Sequence, residues 1–228
     1  METILNTGGM DVLFDPERVG QPVPGWFDPA WWRQRDAVAA EFAGRGRTLA
    51  VEGSFGQGVL RIYQRGGLVR HLIRDRYLFL GQDRVRSFRE WRVLRELWQA
   101  GFPVPEPLAA ASRRTGPAYR AALLTKRIPG AVTLAERLAR SPLAPHDWSR
   151  LGRTLSGFFE AGLRHADLNA RNILVDPAGR FWVLDFDRAV LRRDPAEGST
   201  MVLRLVRSLD KLGLAYDRTA LLRGVSPG

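Results

Sequence analysis

The stretch that most constrains this chain is "HADLNARNILVDPAGRFWVLDFD", residues 165–187. Two short apolar runs, "ILV" and "FWVLD", flank "DPAG", whose Asp-Pro pair and glycine supply turn chemistry. The segment therefore predicts a hairpin. A polar cluster leads its first strand and Asp185 ends its second, so both ends carry carboxylates. Asp176 belongs to the turn. The remaining aspartates are read as a site for metal ions and a phosphoryl group.

The chain has 228 residues, 45% of them hydrophobic, enough for one domain of two lobes, or two small domains, with a real core. It has no run of about 18 apolar residues, so no transmembrane helix is expected. The first residues lack the basic start and apolar stretch of a signal peptide, which favours a cytoplasmic setting. With no cysteine, disulfides, thiolate metal sites and cysteine nucleophiles are excluded. The formal charge of +11 points to a polyanionic partner, either nucleic acid or an anionic membrane surface. No zinc-finger spacing or RNP-type motif supports nucleic acid, and none is expected as a partner.

Residues 1–36 are read as an irregular lead-in, with a short helix after the N-cap candidate Asp28, Pro29 at its first position. "AVAAEF", "RTLAVE" and "GVLRIYQ" are separated by glycine-rich gaps and predict a three-stranded antiparallel meander. Val85, Phe88, Trp91, Leu94, Leu97 and Trp98 recur at helical spacing, and Gly101 and Pro103 end that helix. "FPVPEPLAAASR" reads as an extended connector, and "YRAALLTKRI" as a strand. Helices follow at "TLAERLARS" and "PHDWSRLGRTLSGFFEAGL", then the hairpin, then a last amphipathic helix at "STMVLRLVRSLDKLG". The expected domains are the lead-in, an N-terminal lobe over 37–128 and a helical C-terminal lobe over 129–228. A cleft between two unlike lobes suits nucleotide binding.

His165, Asp167 and Asn172 match the H-x-D-x-x-x-x-N catalytic loop of kinases. Phosphoryl transfer needs one carboxylate near the attacking hydroxyl and a separate oxygen cluster holding Mg²⁺ against the phosphates of ATP. Asp167 suits the first task; Asn172 and Asp185 suit the second. "Asp185-Phe-Asp187" replaces D-F-G, which makes Asp187 a further metal contact. His165 is read as a brace for the loop. The first lobe has no lysine before Lys126, so Arg61 in "VLRIY" takes the role of phosphate-holding cation, with Glu90 as its partner. Gly58 lies only three residues before Arg61, too few for strands to run out and back; Gly46 lies fifteen before it. Gly44 and Gly46 are therefore assigned to the phosphate turn, and "GSFGQG" to the other hairpin turn.

The set "AGRGRT", "VLRIYQRGGL", "RSFREWRVLRELWQAGFPVPEP", "HADLNARNILVD", "WVLDFDRA" and "LRLVRSLDKL" resembles the 3-deoxy-D-manno-octulosonic acid (Kdo) kinases, of the lipopolysaccharide kinase superfamily. The resemblance runs from about Ala40 to Leu212. It implies an α+β, two-lobed protein-kinase-like fold, with an N-terminal antiparallel sheet carrying one helix and a mostly helical C-terminal lobe. It also implies ATP- and Mg²⁺-dependent phosphorylation of the 4-hydroxyl of Kdo on a lipid A precursor, in lipopolysaccharide core assembly. The implied location is peripheral, at the cytoplasmic face of the bacterial inner membrane. Carried over by position, Asp167 corresponds to the catalytic base, Asn172 and Asp185 to the Mg²⁺ ligands, and Arg61 and Glu90 to the ATP-positioning pair.

The chain departs from the family at Lys126, where an acidic residue is favoured, at Met201 and Val202, and in lacking a nearby tryptophan. These departures are read as bearing on the sugar acceptor, not the phosphoryl machinery. Arg65, Arg70, Arg74 and Arg76 are candidate contacts for the acceptor's carboxylate or an anionic leaflet. The Trp-rich segment at Trp26, Trp31 and Trp32 either meets a membrane interface or packs on the first lobe. A heptose kinase of lipopolysaccharide, an aminoglycoside- or choline-type phosphotransferase, a non-catalytic kinase-like binding protein and a basic nucleic-acid binder remain as alternatives.

Overall fold

A computed structural model of the chain describes residues 1–42, 47–63 and 77–225. It divides into two compact units: residues 1–96 with 105–127, and residues 97–104 with 128–228. The fold is α+β and two-lobed, kinase-like, with the antiparallel sheet in the first unit and the longer helices mostly in the second.

The first unit opens with β1 (Thr3–Thr7) and β2 (Met10–Phe14), followed by short helices α1 (Pro16–Val19) and α2 (Pro29–Arg33). The meander is β3 (Val38–Phe42), β4 (Arg47–Gly53) and β5 (Gly56–Ile62); β6 (Tyr77–Leu78) precedes helix α3 (Arg86–Gln99). Strands β7 (Pro107–Thr115) and β8 (Ala118–Lys126) complete an eight-stranded sheet, ordered β1-β2-β7-β8-β5-β4-β3 with β6 beside β8. All pairings are antiparallel.

Two sequence expectations are corrected. Residues 3–14 are not irregular lead-in but a hairpin paired to β7. The "connector" is a nine-residue strand inside the sheet. Its Leu-Ala-Ala-Ala run is buried throughout, so it lacks the in–out alternation that marks a half-exposed strand. Trp26 and Trp32 pack into the first unit's core with Leu49, Val51, Leu60 and Leu124. Asp28 caps α2 by accepting from the Ala30 N–H at 2.9 Å. The Trp32 indole donates to the Trp26 carbonyl at 2.8 Å, so these two rings serve packing.

The second unit holds β9 (Val132–Thr133), α4 (Leu134–Arg140), α5 (Pro145–Glu160) and β10 (Leu163–Arg164). The hairpin β11 (Ile173–Val175) and β12 (Phe181–Val183) follows, then β13 (Val190–Leu191), α6 (Gly198–Lys211) and α7 (Arg218–Val225). Thr133 and Glu136 form a capping box at α4. Helix α7 is an element beyond the expected last helix. It meets α5 at paired glycines: a Cβ on Gly152 would sit 2.3 Å from the Leu221 carbonyl oxygen, and one on Gly224 2.1 Å from that of Ser149. No helix among the described residues is long and apolar enough to cross a membrane.

Candidate active site

In the first unit, Arg61 lies near the end of β5 and Glu90 on α3. Glu90 is buried at 2% exposure, and its Oε2 accepts from both the Arg61 guanidinium and the Tyr63 hydroxyl. Arg61 also donates to the Tyr63 oxygen at 3.0 Å. Burial, and then the charge of Glu90, push the Tyr63 hydroxyl well above its ordinary value, so it stays protonated and donating. Tyr63 escaped the sequence reading. Strand periodicity was the available signal, because residues two apart share a face. Helix α3 is docked partly by Ser87, whose hydroxyl donates to the Ala111 carbonyl on β7 at 2.9 Å.

Gly44 and Gly46 lie outside the described residues, as do Arg65, Arg70, Arg74 and Arg76. The "GSFGQG" segment forms the β4–β5 turn, with Gly56 in the left-handed region at φ 81°. The register pairs Arg61 with Thr48, so Arg61 sits at the opposite end of this hairpin from that turn.

In the second unit, β11 and β12 pair as expected, Ile173 with Val183 and Val175 with Phe181. Beyond them, the Leu184 N–H donates to the Asn172 carbonyl at 2.8 Å. That contact sets Asp185 beside the start of β11, together with Asn172. Asp185 occupies the left-handed region at φ 63°, which aspartate tolerates better than most residues. The Asn172 Nδ2 donates to the Asp167 carbonyl at 2.9 Å and approaches the Asp167 carboxylate at 3.5 Å. Asn169 staples the loop: its side chain donates to the Asp167 carbonyl at 3.0 Å and accepts from the Arg171 N–H at 2.9 Å. Asp167 itself is exposed.

His165 is buried and makes hydrogen bonds through both ring nitrogens. Nε2 meets the Leu184 carbonyl at 2.9 Å, and Nδ1 accepts from the Asp167 N–H at 3.2 Å. Its ring meets Phe186 edge to face at 5.3 Å. Burial lowers its pKa, which favours the neutral Nε2–H tautomer that both contacts require. The histidine thus ties the loop to the end of β12.

Helix α6 supplies the rest of the seat. Met201 Sδ accepts from the His165 N–H at 3.1 Å, Arg204 donates to the His165 carbonyl at 3.3 Å, and the Ser208 hydroxyl accepts from the Ala170 N–H at 3.2 Å. These three occupy one stripe of the helix. The departure at Met201 therefore does touch the loop that begins at His165, contrary to the sequence expectation. At the turn, Asp176 accepts from the Arg180 N–H at 2.9 Å, the Arg180 guanidinium at 2.8 Å and the Trp182 indole at 3.1 Å. A polar cavity of about 290 Å³ lies at this turn end, lined by Arg137, Arg140, Arg150 and Asp147; it includes none of Asp167, Asn172 and Asp185.

A catalytic-type loop, a hairpin with paired polar ends and an arginine–glutamate pair in an antiparallel sheet are features of kinase-like phosphotransferases. Residues 29–219 match the model of the lipopolysaccharide kinase (Kdo/WaaP) family. A 3-deoxy-D-manno-octulosonic acid kinase of Xylella fastidiosa (strain M12) is 48% identical over 202 residues, 88% of this chain and 80% of that protein. The kinase of the same name from Xanthomonas campestris pv. campestris (strain B100) is 46% identical over the same shares, and that from Stenotrophomonas maltophilia (strain K279a) 45%. The chain belongs to the lipopolysaccharide kinase (Kdo/WaaP) family. It is an enzyme of the phosphotransferase class with an alcohol group as acceptor.

Proposed function

We propose that this chain transfers the γ-phosphoryl group of ATP to the 4-hydroxyl of Kdo on a Kdo-lipid A precursor in lipopolysaccharide core biosynthesis. It works peripherally, at the anionic cytoplasmic face of the inner membrane. The observation that carries the reading is the closure of the hairpin: the Leu184–Asn172 bond gathers Asp167, Asn172 and Asp185 at one end of β11–β12.

The residues fit Mg²⁺. With Nδ2 committed to Asp167, Asn172 presents Oδ1 as a hard oxygen donor, and Asp185 presents a carboxylate. Two protein oxygens suit an ion that keeps waters and binds substrate phosphates. When bound, Mg²⁺ supplies charge neutralisation for the phosphate oxygens. Asp187 is a further candidate contact.

Asp167 orients the acceptor hydroxyl and receives its proton. His165 and Asn169 hold Asp167 in place without exchanging protons. Arg61, fixed by Glu90 and Tyr63, holds the ATP phosphates. Gly44 and Gly46 are the residues we assign to the ATP phosphates. The register supports this, because Arg61 pairs with Thr48, two residues past Gly46. Residues 37–128 form the nucleotide-handling lobe, extended by the β1–β2 hairpin, and 129–228 the acceptor-handling lobe. The excess of basic residues, including Arg65, Arg70, Arg74 and Arg76, suits an anionic leaflet.

Radiolabelled ATP with Kdo-lipid A, followed by mass spectrometry of the product, tests the reading. The expected product carries one added phosphate on the 4-hydroxyl of Kdo. Preference for heptosylated core or soluble alcohols would replace it with a heptose or small-molecule kinase.

A further inference from the structure

We infer that Arg204 on α6 binds the carboxylate of the sugar-acid acceptor and so selects acidic over neutral acceptors. The inference rests on the proposed Kdo reading.

Arg204 reaches the catalytic-type loop directly. One guanidinium nitrogen donates to the His165 carbonyl at 3.3 Å, two residues before Asp167 in the chain. Its planar fork carries further N–H donors, and the side chain is exposed. Among the described residues no carboxylate lies within ion-pair distance of it. Some other guanidinium groups of this unit are engaged: Arg150 pairs with Asp147, Arg164 with Asp194 and Arg180 with Asp176. Among the described residues, Arg204 is thus a cation set beside the loop with no acidic partner.

The chemistry of the site asks for such a cation. Asp167 and Asp185 make the end of the hairpin anionic. An acceptor that is itself an acid brings a third negative charge, and like charges at close range repel. A fixed guanidinium offsets that repulsion, and its fork matches a carboxylate. Helix α6 also orients it. Met201 and Ser208, on the same stripe, fasten the helix to the loop backbone at His165 and Ala170, so Arg204 is held in register with Asp167. Arg207 and Lys211 continue the exposed basic face along the helix.

The test compares acceptors within each variant of the full chain. Wild type, Arg204→Met, Arg204→Lys and Arg204→Gln are assayed with Kdo-lipid A and with its Kdo methyl ester. The readout is the ratio of kcat/KM for acid over ester, which cancels general damage to the loop. Wild type is expected to favour the acid by about ten- to a hundredfold, the scale of a charged hydrogen bond. Arg204→Met loses that preference through acceptor KM, with the KM for ATP unchanged, and Arg204→Lys keeps part of it. Arg204→Gln retains a donor for the His165 carbonyl without the charge and carries the same decision if the methionine variant does not fold. An acid/ester ratio in Arg204→Gln equal to wild type overturns the assignment while leaving the Kdo reading intact. Failure of wild type to phosphorylate either acceptor overturns both.

Discussion

Arg61 and Glu90 stand 29 positions apart in sequence, yet pair inside the first unit, with the Tyr63 hydroxyl on the same carboxylate oxygen. Arg61 is 26% exposed and Glu90 2%, so the carboxylate is the buried partner. Removing only the cation takes a compensating charge from a buried carboxylate, and such changes cost up to about 3–5 kcal/mol. Arg61→Met should lower the melting temperature accordingly, at roughly 2–4 °C per kcal/mol for a chain of this size. Arg61→Met with Glu90→Leu should recover part of the loss. Thermal unfolding of the two variants checks this; equal melting temperatures for both would mean that the pair is not coupled.

Asp167 and Asp185 are expected to fail differently. Asp167→Asn should cut kcat by about 10²–10⁴-fold with little change in nucleotide affinity, as loss of a positioned proton acceptor does. Asp185→Asn should weaken Mg²⁺-dependent nucleotide binding as well. Calorimetric titration with Mg²⁺-ATP analogue alongside steady-state rates separates the two. Unchanged rates in Asp167→Asn would end its role as the base.

His165 makes stability pH-dependent. Its folded pKa lies below the unfolded value because burial disfavours the charged ring. Between the two values the unfolded chain binds the extra proton. Stability attributable to this residue is therefore full above about pH 6.5 and falls below it, by up to about 1.4 kcal/mol per pH unit, until the folded pKa is reached. Urea unfolding of wild type and His165→Gln at pH 8 and pH 5.5 reads the difference. The variant should show the shallower dependence, and parallel slopes would refute the claim.

Asp176 acts with the opposite sign. Burial pushes its carboxyl up, but the Arg180 N–H, the Trp182 indole and the Arg180 guanidinium outweigh that and leave it below its ordinary value. Its contribution is present above the unfolded pKa of about 3.9 and is lost as pH falls through the lower folded value. Asp176→Ala should destabilise the chain by about 1–3 kcal/mol at pH 7, since three donors lose their acceptor. The gap from wild type should shrink in acid, as melting curves at pH 7 and pH 3.5 would show.

Residues close in sequence were the legible ones. The hairpin, its turn aspartate and the brace at His165 follow from local pattern, because the turn alone fixes which ends meet. Arg61 and Glu90 were found by asking what cation and what partner the chemistry requires. Tyr63, two residues from Arg61, carries no charge in the sequence that would mark it as the third member of this cluster. Strand β7 was missed because an alanine run buried on both faces carries no alternation. The contacts of Met201, Arg204 and Ser208 were beyond local reading altogether. Nothing in α6's own periodicity says which of its residues meet a loop 36 to 39 positions upstream.

That seat on α6 has a consequence for how the enzyme comes into being. The loop at residues 165–172 is synthesised before the helix whose Met201, Arg204 and Ser208 hold it. A nascent chain that already contains every proposed catalytic side chain still lacks the platform beneath them. A chain ending before Met201 would carry the whole motif without the three side chains that seat it.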